Sequence, residues 1–296
     1  MKINPRTLVI AAALTLGAGP ANAIMYDLTD MGSNSASVNG AIFNTIFDQP
    51  AGTGYIDPFL RTQLLGQPGP WCDPSSPTGG NCEQGYNTDG TDEFDTKDAG
   101  GHNWDHSILL SDIPIVNVGG VDYREFLLDI NQLQNLNRDK LSLDELQFFL
   151  TDNRMISGYD DANNDFNTSP DNQATLVWTL DDILDTTADT NWLKLQNCKD
   201  PGTCGSGDMD LQALIPNSVF GSDENQYVVL FNRFGDNAGL GGGSGSTDGA
   251  NDGFEEWSYR IAQSTTSVPE PGMLPLLFAG IMAIWMVRRR APTMAA

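Results

Sequence analysis

Short apolar runs separated by clusters of Gly, Pro, Asn, Asp and Ser recur along the chain, while long stretches of helical period are almost absent. Such runs read as β-strands bounded by turns. The expected strands are Ser37–Phe47, Ser107–Leu110, Pro114–Val118, Asp122–Ile130, Leu141–Leu150, Thr175–Leu180, Asn191–Leu195, Gln226–Phe234 and Glu255–Ala262. In the fourth of these, Phe126, Leu128 and Ile130 share one face, as a strand with one buried side requires. Gln226–Phe234 is different: Val228, Leu230 and Phe234 alternate with Tyr227, Val229 and Phe231, so both faces are apolar and the strand belongs in the middle of a sheet. Many short strands without intervening helices predict an all-β fold, a β-sandwich of jelly-roll type. Three long connections interrupt it, 67–101, 151–173 and 236–253, the last carrying the run Gly239–Ser246. Loops of this length are either functional or mobile.

The two ends follow other patterns. Met1–Arg6 is weakly basic, Leu8–Leu16 is apolar, and Ala21-Asn22-Ala23 is a small-x-small site, the three parts of a secretory signal peptide over residues 1–23 with cleavage after Ala23. At the other end, an apolar run over 272–287 follows Val268-Pro269-Glu270-Pro271 and precedes Arg288-Arg289-Arg290. Sixteen helical residues reach about 24 Å, short of a hydrocarbon core of about 30 Å, so such a transmembrane helix would cross only a thin bilayer. The arginines would hold residues 291–296 as a cytoplasmic tail and place everything before Val268 across the membrane.

V-P-E-P, a short apolar stretch and an arginine cluster together resemble the PEP-CTERM sorting signal, here residues 268–290. That resemblance implies recognition by an exosortase, a membrane-embedded, cysteine protease-like sorting enzyme of Gram-negative bacteria that often make exopolysaccharide. It further implies export across the inner membrane, transient anchoring there through the C-terminal helix, and a cell-surface or extracellular destination after processing. The segments Gly85–Gly90, Tyr123–Asn131, Leu141–Leu146, Gly205–Met209 and Gly253–Trp257 are similar to parts of uncharacterised exported proteins of that group. No activity comes with this second likeness.

Between the ends lies a body over 24–263, followed by a polar spacer over 264–267. Without the terminal segments, Ile24–Ser267 holds ten basic residues against thirty-eight acidic ones, a formal charge of −28. This charge repels nucleic-acid phosphates, which excludes nucleic acid as a partner, and it attracts divalent cations. Four cysteines travelling to an oxidising compartment predict disulfides, and the short spacings favour Cys72 with Cys82 and Cys198 with Cys204 among three connectivities.

Candidate chemistry is sparse. Asp161, Asn163 and Asp165 follow the D-x-N-x-D spacing that points alternate oxygens at one hard cation, making Ca2+ the candidate cofactor. Phe166 then stands where an EF-hand has Gly, and Asn172 where it has Glu, so the loop would bind calcium in another geometry or be a solvated acidic turn. Asn87, Asp89, Thr91 and Glu93 form a weaker version, as do Asp248 and Asp252. His102 and His106 have zinc spacing but no third ligand. No nucleophile elbow or phosphate-binding glycine motif occurs, and no catalytic residue is assigned. Trp71 and Trp104, both in loops, are candidates for stacking on sugar rings. The expected function is a non-enzymatic surface or matrix protein delivered by signal peptidase and exosortase and associated with extracellular polysaccharide. A carbohydrate-binding module and a secreted hydrolase are the alternatives.

Overall fold

A computed structural model describes residues 24–30, 32–46, 55–63, 83–91, 94, 105–132, 139–160, 163–167, 169–170, 172–181, 191–197, 209–235, 249 and 253–261. Its strands are β1 (Ile24–Asp27), β2 (Ser35–Val38), β3 (Ala41–Asn44), β4 (Ile56–Thr62), β5 (Glu83–Tyr86), β6 (Ile108–Leu109), β7 (Ile115–Val118), β8 (Val121–Asp129), β9 (Lys140–Thr151), β10 (Thr175–Thr179), β11 (Asn191–Gln196), β12 (Leu211–Pro216), β13 (Tyr227–Phe234) and β14 (Glu255–Arg260). They form two seven-stranded sheets. Sheet A has the order β1-β11-β9-β13-β5, with β10 also on β9 and β6 also on β13. Sheet B has the order β2-β3-β12-β8-β14-β4, with β7 also on β8. All pairings are antiparallel except that of β1 with β11.

The sheets share one apolar core. Phe126 and Leu128 of β8, Trp257 of β14 and Phe43 of β3 face Phe148 of β9, Leu230 of β13 and Trp178 of β10. At its centre the Phe126 and Phe148 rings lie 4.6 Å apart, and Phe148 also meets Trp178 and Phe220 edge-on. Strand β9 reaches this core through a register shift. Arg233 pairs with Glu145 but Phe234 with Leu143, so Asp144 is an extra residue on β9. One inserted residue reverses the alternation of sides. Leu141 and Leu143 therefore point inward before it, and Leu146, Phe148 and Leu150 after it.

The outer face of sheet A carries a second, smaller core. Tyr86, Phe149, Val229 and Phe231 project there and are covered by Ile156, Tyr159, Phe166 and Ala174 of the β9–β10 connection. Tyr159 stacks on Phe231 with centroids 3.9 Å apart, and Phe166 meets Tyr86 and Phe149 edge-on. This is why Gln226–Phe234 is apolar on both faces: β13 is central and packs on both sides.

Several expectations need correction. Ser37–Phe47 is a hairpin, not one strand, because Asn39 and Gly40 take positive φ angles of 49° and 80° and reverse the chain. The fourteen described strands exceed the eight of a jelly roll, and neither sheet closes into a barrel. The expected signal helix over 1–23 and transmembrane helix over 272–287 find no counterpart among the described residues. The helical segments among the described residues are 3-10 turns at Leu110–Asp112 and Asn217–Val219, and none is long and apolar enough to cross a membrane. Residues 1–23 and 272–287 themselves lie outside the described residues. The disulfide staples have no counterpart among the described residues either. No disulfide occurs among the described residues, and Cys72, Cys82, Cys198 and Cys204 lie outside them. The end of β4 is held to β13 by a buried hydrogen bond of Thr62 with Asn232 at 3.1 Å.

Truncating Phe148 removes the ring on which three others converge. Phe148→Ala should cost about 3–5 kcal/mol, read as a lowered urea midpoint at unchanged slope. A loss below about 1 kcal/mol would show that the two sheets do not meet at this residue.

Candidate functional site

Several of the described residues singled out by their spacing serve the fold. The acidic turn is a small hairpin in which the Asp160 and Asp165 backbones pair, the Asp160 N–H reaching the Asp165 carbonyl at 2.8 Å. Asn163 donates its amide to Asp160 Oδ2 at 2.7 Å, and the Asp165 carboxylate accepts from the backbone and side-chain N–H groups of Asn167. Asn164 closes the turn at φ 51°. Phe166, whose bulk breaks the EF-hand pattern, is the side chain that plugs the turn into the outer core of sheet A. Asp161 lies outside the described residues, as do Trp71, His102, Trp104, Asp248, Asp252, the segment 268–271 and Arg288, Arg289 and Arg290.

Asn87 has a similar fate. Its Nδ2 donates to the Val228 carbonyl at 2.9 Å, and its Oδ1 accepts from the Leu230 N–H at 2.7 Å, so it replaces a strand partner along β13. Asp89 pairs with Arg154. His106 lies 3.9 Å from Asp57, whose other oxygen accepts from the Tyr259 hydroxyl at 3.0 Å. Burial first, and Asp57 second, push that phenol above its ordinary range. Trp178, Trp192 and Trp257 are all buried.

A group that no spacing signalled lies between the sheets. On the inner face, apolar side chains give way at one end of the sandwich to Thr62 of β4, Glu83 of β5, Asn232 of β13, Glu255 of β14 and Gln132, just beyond β8. All five are at most 2 % exposed. Alternation along each strand places them there: Glu255 is two residues before Trp257, and Asn232 two before Phe234. Register pairs Glu255 with Thr62 and Glu83 with Phe234, so the two acids come from different sheets.

The Glu83 carboxyl acts on that of Glu255 across the gap between the sheets. Gln132 Nε2 donates to Glu255 Oε1 at 3.1 Å, and the backbone N–H of Asn131 reaches the same carboxyl. Burial, and after it the neighbouring Glu83, push Glu255 well above the usual carboxylate range, while Gln132 and Asn131 pull it back only in part. No lysine or arginine is among the groups that act on it. Glu255 Oε2, Gln132 Oε1 and the indole Nε1 of Trp257 are buried without a hydrogen-bond partner. Gly253 sets the approach: at φ 58°, a Cβ on it would lie 2.0 Å from the Asn131 amide. Among the described residues, no three His, Cys, Asp or Glu side chains come together as a metal centre.

Two buried arginines are matched by acids. Arg233 and Glu145 form an ion pair at 2.9 Å on the outer face of sheet A, with Gln147 and the Tyr159 hydroxyl hydrogen-bonded around it. Arg124 reaches the carbonyls of Leu110 and Ile113, Asn217 and the Glu224 carboxylate, which ties both 3-10 turns to β8. Between Glu83 and Glu255 acid acts on acid.

No family model, curated protein or solved structure matches this chain.

The raised Glu255 value makes stability depend on pH. A carboxyl whose folded pKa exceeds its unfolded value of about 4.3 contributes stability that is complete below the unfolded value. That stability is lost as pH rises through the folded value. The urea midpoint of the natural protein should fall as pH rises above about 5, while Glu255→Gln, which keeps the neutral shape, should fall less steeply. Equal slopes would show that Glu255 ionises without cost.

Proposed function

We propose that this chain is an exported surface or matrix protein, processed by signal peptidase and sorted by an exosortase, whose folded body acts by binding and scaffolding rather than by catalysis. The observation that carries the reading is where the chain divides. The compact unit ends at Ala262, and a second unit begins at Gln263, immediately before the polar spacer and the V-P-E-P motif. At the front, β1 begins at Ile24, the residue after the small-x-small site, so sheet A takes in the chain from the first residue expected after cleavage. Both boundaries of the folded body thus agree with the address segments read from sequence. Extracellular polysaccharide is the partner that the PEP-CTERM likeness favours.

Intact-mass and terminal peptide mapping of protein recovered from the cell surface or medium tests the proposal. The expected product starts at Ile24 and lacks the residues beyond the 268–271 motif. Recovery of intact 288–296 would overturn sorting, and a Met1 N-terminus on that material would overturn export.

A further inference from the structure

We propose that β7 is a dimerisation edge, along which a second copy of this chain pairs antiparallel and carries sheet B across a two-fold axis. The β7–β8 hairpin turns at Gly119 and Gly120, whose φ angles of 62° and 89° fit the two-residue turn that matches strand twist. In such a hairpin the flanking pair, Val118 with Val121, exchanges hydrogen bonds, and so does Val116 with Tyr123. The N–H and C=O groups of Ile115 and Asn117 therefore point away from β8. Among the described residues β7 pairs with β8 alone. Ile115, Val118 and Val121 are 48 %, 42 % and 49 % exposed, so the ribbon projects with apolar side chains on both of its faces.

An open strand edge is a template for another strand, and folds usually guard it with charge, proline or a bulge. The edge strand β4 shows that guard, carrying Asp57, Pro58 and Arg61 and a register shift against β14. Within β7 there is none of these. No charged residue occurs from Ile113 to Val121, in a chain whose formal charge is −24. Charge decides what the edge receives. A basic partner would be drawn to the acidic surface rather than to an uncharged strand, whereas a second copy is repelled by that surface and approaches where acids are absent. Centred on Val116, the pairing is self-complementary: Ile115 of each copy lies opposite Asn117 of the other, and every outward N–H meets an outward C=O. Val116 then faces its own counterpart as a pair without hydrogen bonds, the class with the closest side chains, and Val118 and Val121 widen the apolar strip. So short a contact makes a reversible dimer rather than an obligate one. The dimer does not depend on the sorting proposal.

The test is sedimentation equilibrium of the purified full-length chain over a range of protein and NaCl concentrations. A monomer–dimer equilibrium is expected, strengthened as salt screens the net charge. Val116→Asp, which sets two acids together on the axis, should return the protein to monomer, and so should Ile115→Pro, which removes an outward N–H that β8 does not use. Oxidation supplies a second, register-specific measurement. Val116→Cys should form a disulfide-linked dimer beyond any seen in the natural protein, because Cα atoms about 4.5 Å apart across the axis suit the bond, and Val118→Cys should not. A chain that stays monomeric up to about 100 µM would overturn the proposal and leave the edge to a strand of a different protein. Dimers undiminished in both Val116→Asp and Ile115→Pro would overturn it as well, placing self-association at another surface such as the terminal apolar runs. Should either variant fail to fold, the cysteine variants decide alone: equal cross-linking at 116 and 118, or none at 116, would overturn the pairing.

Discussion

Strand β9 must serve two cores at once, and this constraint organises the molecule. Phe148 and Phe149 are adjacent in the chain, yet one is buried between the sheets and the other beneath the β9–β10 connection. A strand buried on both faces tolerates no slip in register, because a shift of one residue would exchange the two cores. The extra residue at Asp144 absorbs the mismatch between its two halves, and β13, paired along nearly the whole of β9, must follow. Each strand of sheet A joins to β9 directly, through β13 or through β11.

Polar groups inside the molecule then divide by purpose. Arg124, Asn87 and the Arg233–Glu145 pair fix connections to strands, each with its hydrogen bonds spent on named partners. A buried ion pair of this kind adds little net stability but is costly to break, so it fixes which arrangement forms. The Glu83–Glu255 pair follows another rule. It sets groups of the same charge sign against each other from the two sheets, so its contribution depends on protonation.

Much of the fold was legible because strand alternation is local. Phe126, Leu128 and Ile130 do face the common core, and the two-sided Gln226–Phe234 is central as its composition required. Even the bulge is written in the chain, as Leu141, Leu143, Leu146, Phe148 and Leu150 change parity midway. What escaped was non-local or atypical. Strand β5, Glu-Gln-Gly-Tyr, has no apolar alternation, and β4 carries Pro58, tolerated because β4 is an edge strand. The polar layer was invisible for a different reason. Glu83, Gln132 and Glu255 are scattered along the chain and meet only through register, and among thirty-eight acids no pair stands out. In the acidic turn, the spacing of carboxylates was plain, but the role of Phe166 as an anchor required knowledge of the surface beneath it.

The parallel pairing of β1 with β11 has a consequence for the order of assembly. Ile24 lies opposite Asn191 and Asp27 opposite Lys194, and the Asp30 N–H bonds to Gln196 across 166 residues of sequence. The first strand of the fold therefore has no docking edge until the chain has been extended past β11 and β11 has itself been laid against β9. Contacts of such long separation close slowly, since the entropy of the intervening chain is lost before the pairing returns anything. Until then Ile24 and Met25 stay extended and exposed, and they remain exposed at the margin of the finished sheet. Of the described strands of sheet A, the one synthesised first thus docks only after β11 is in place.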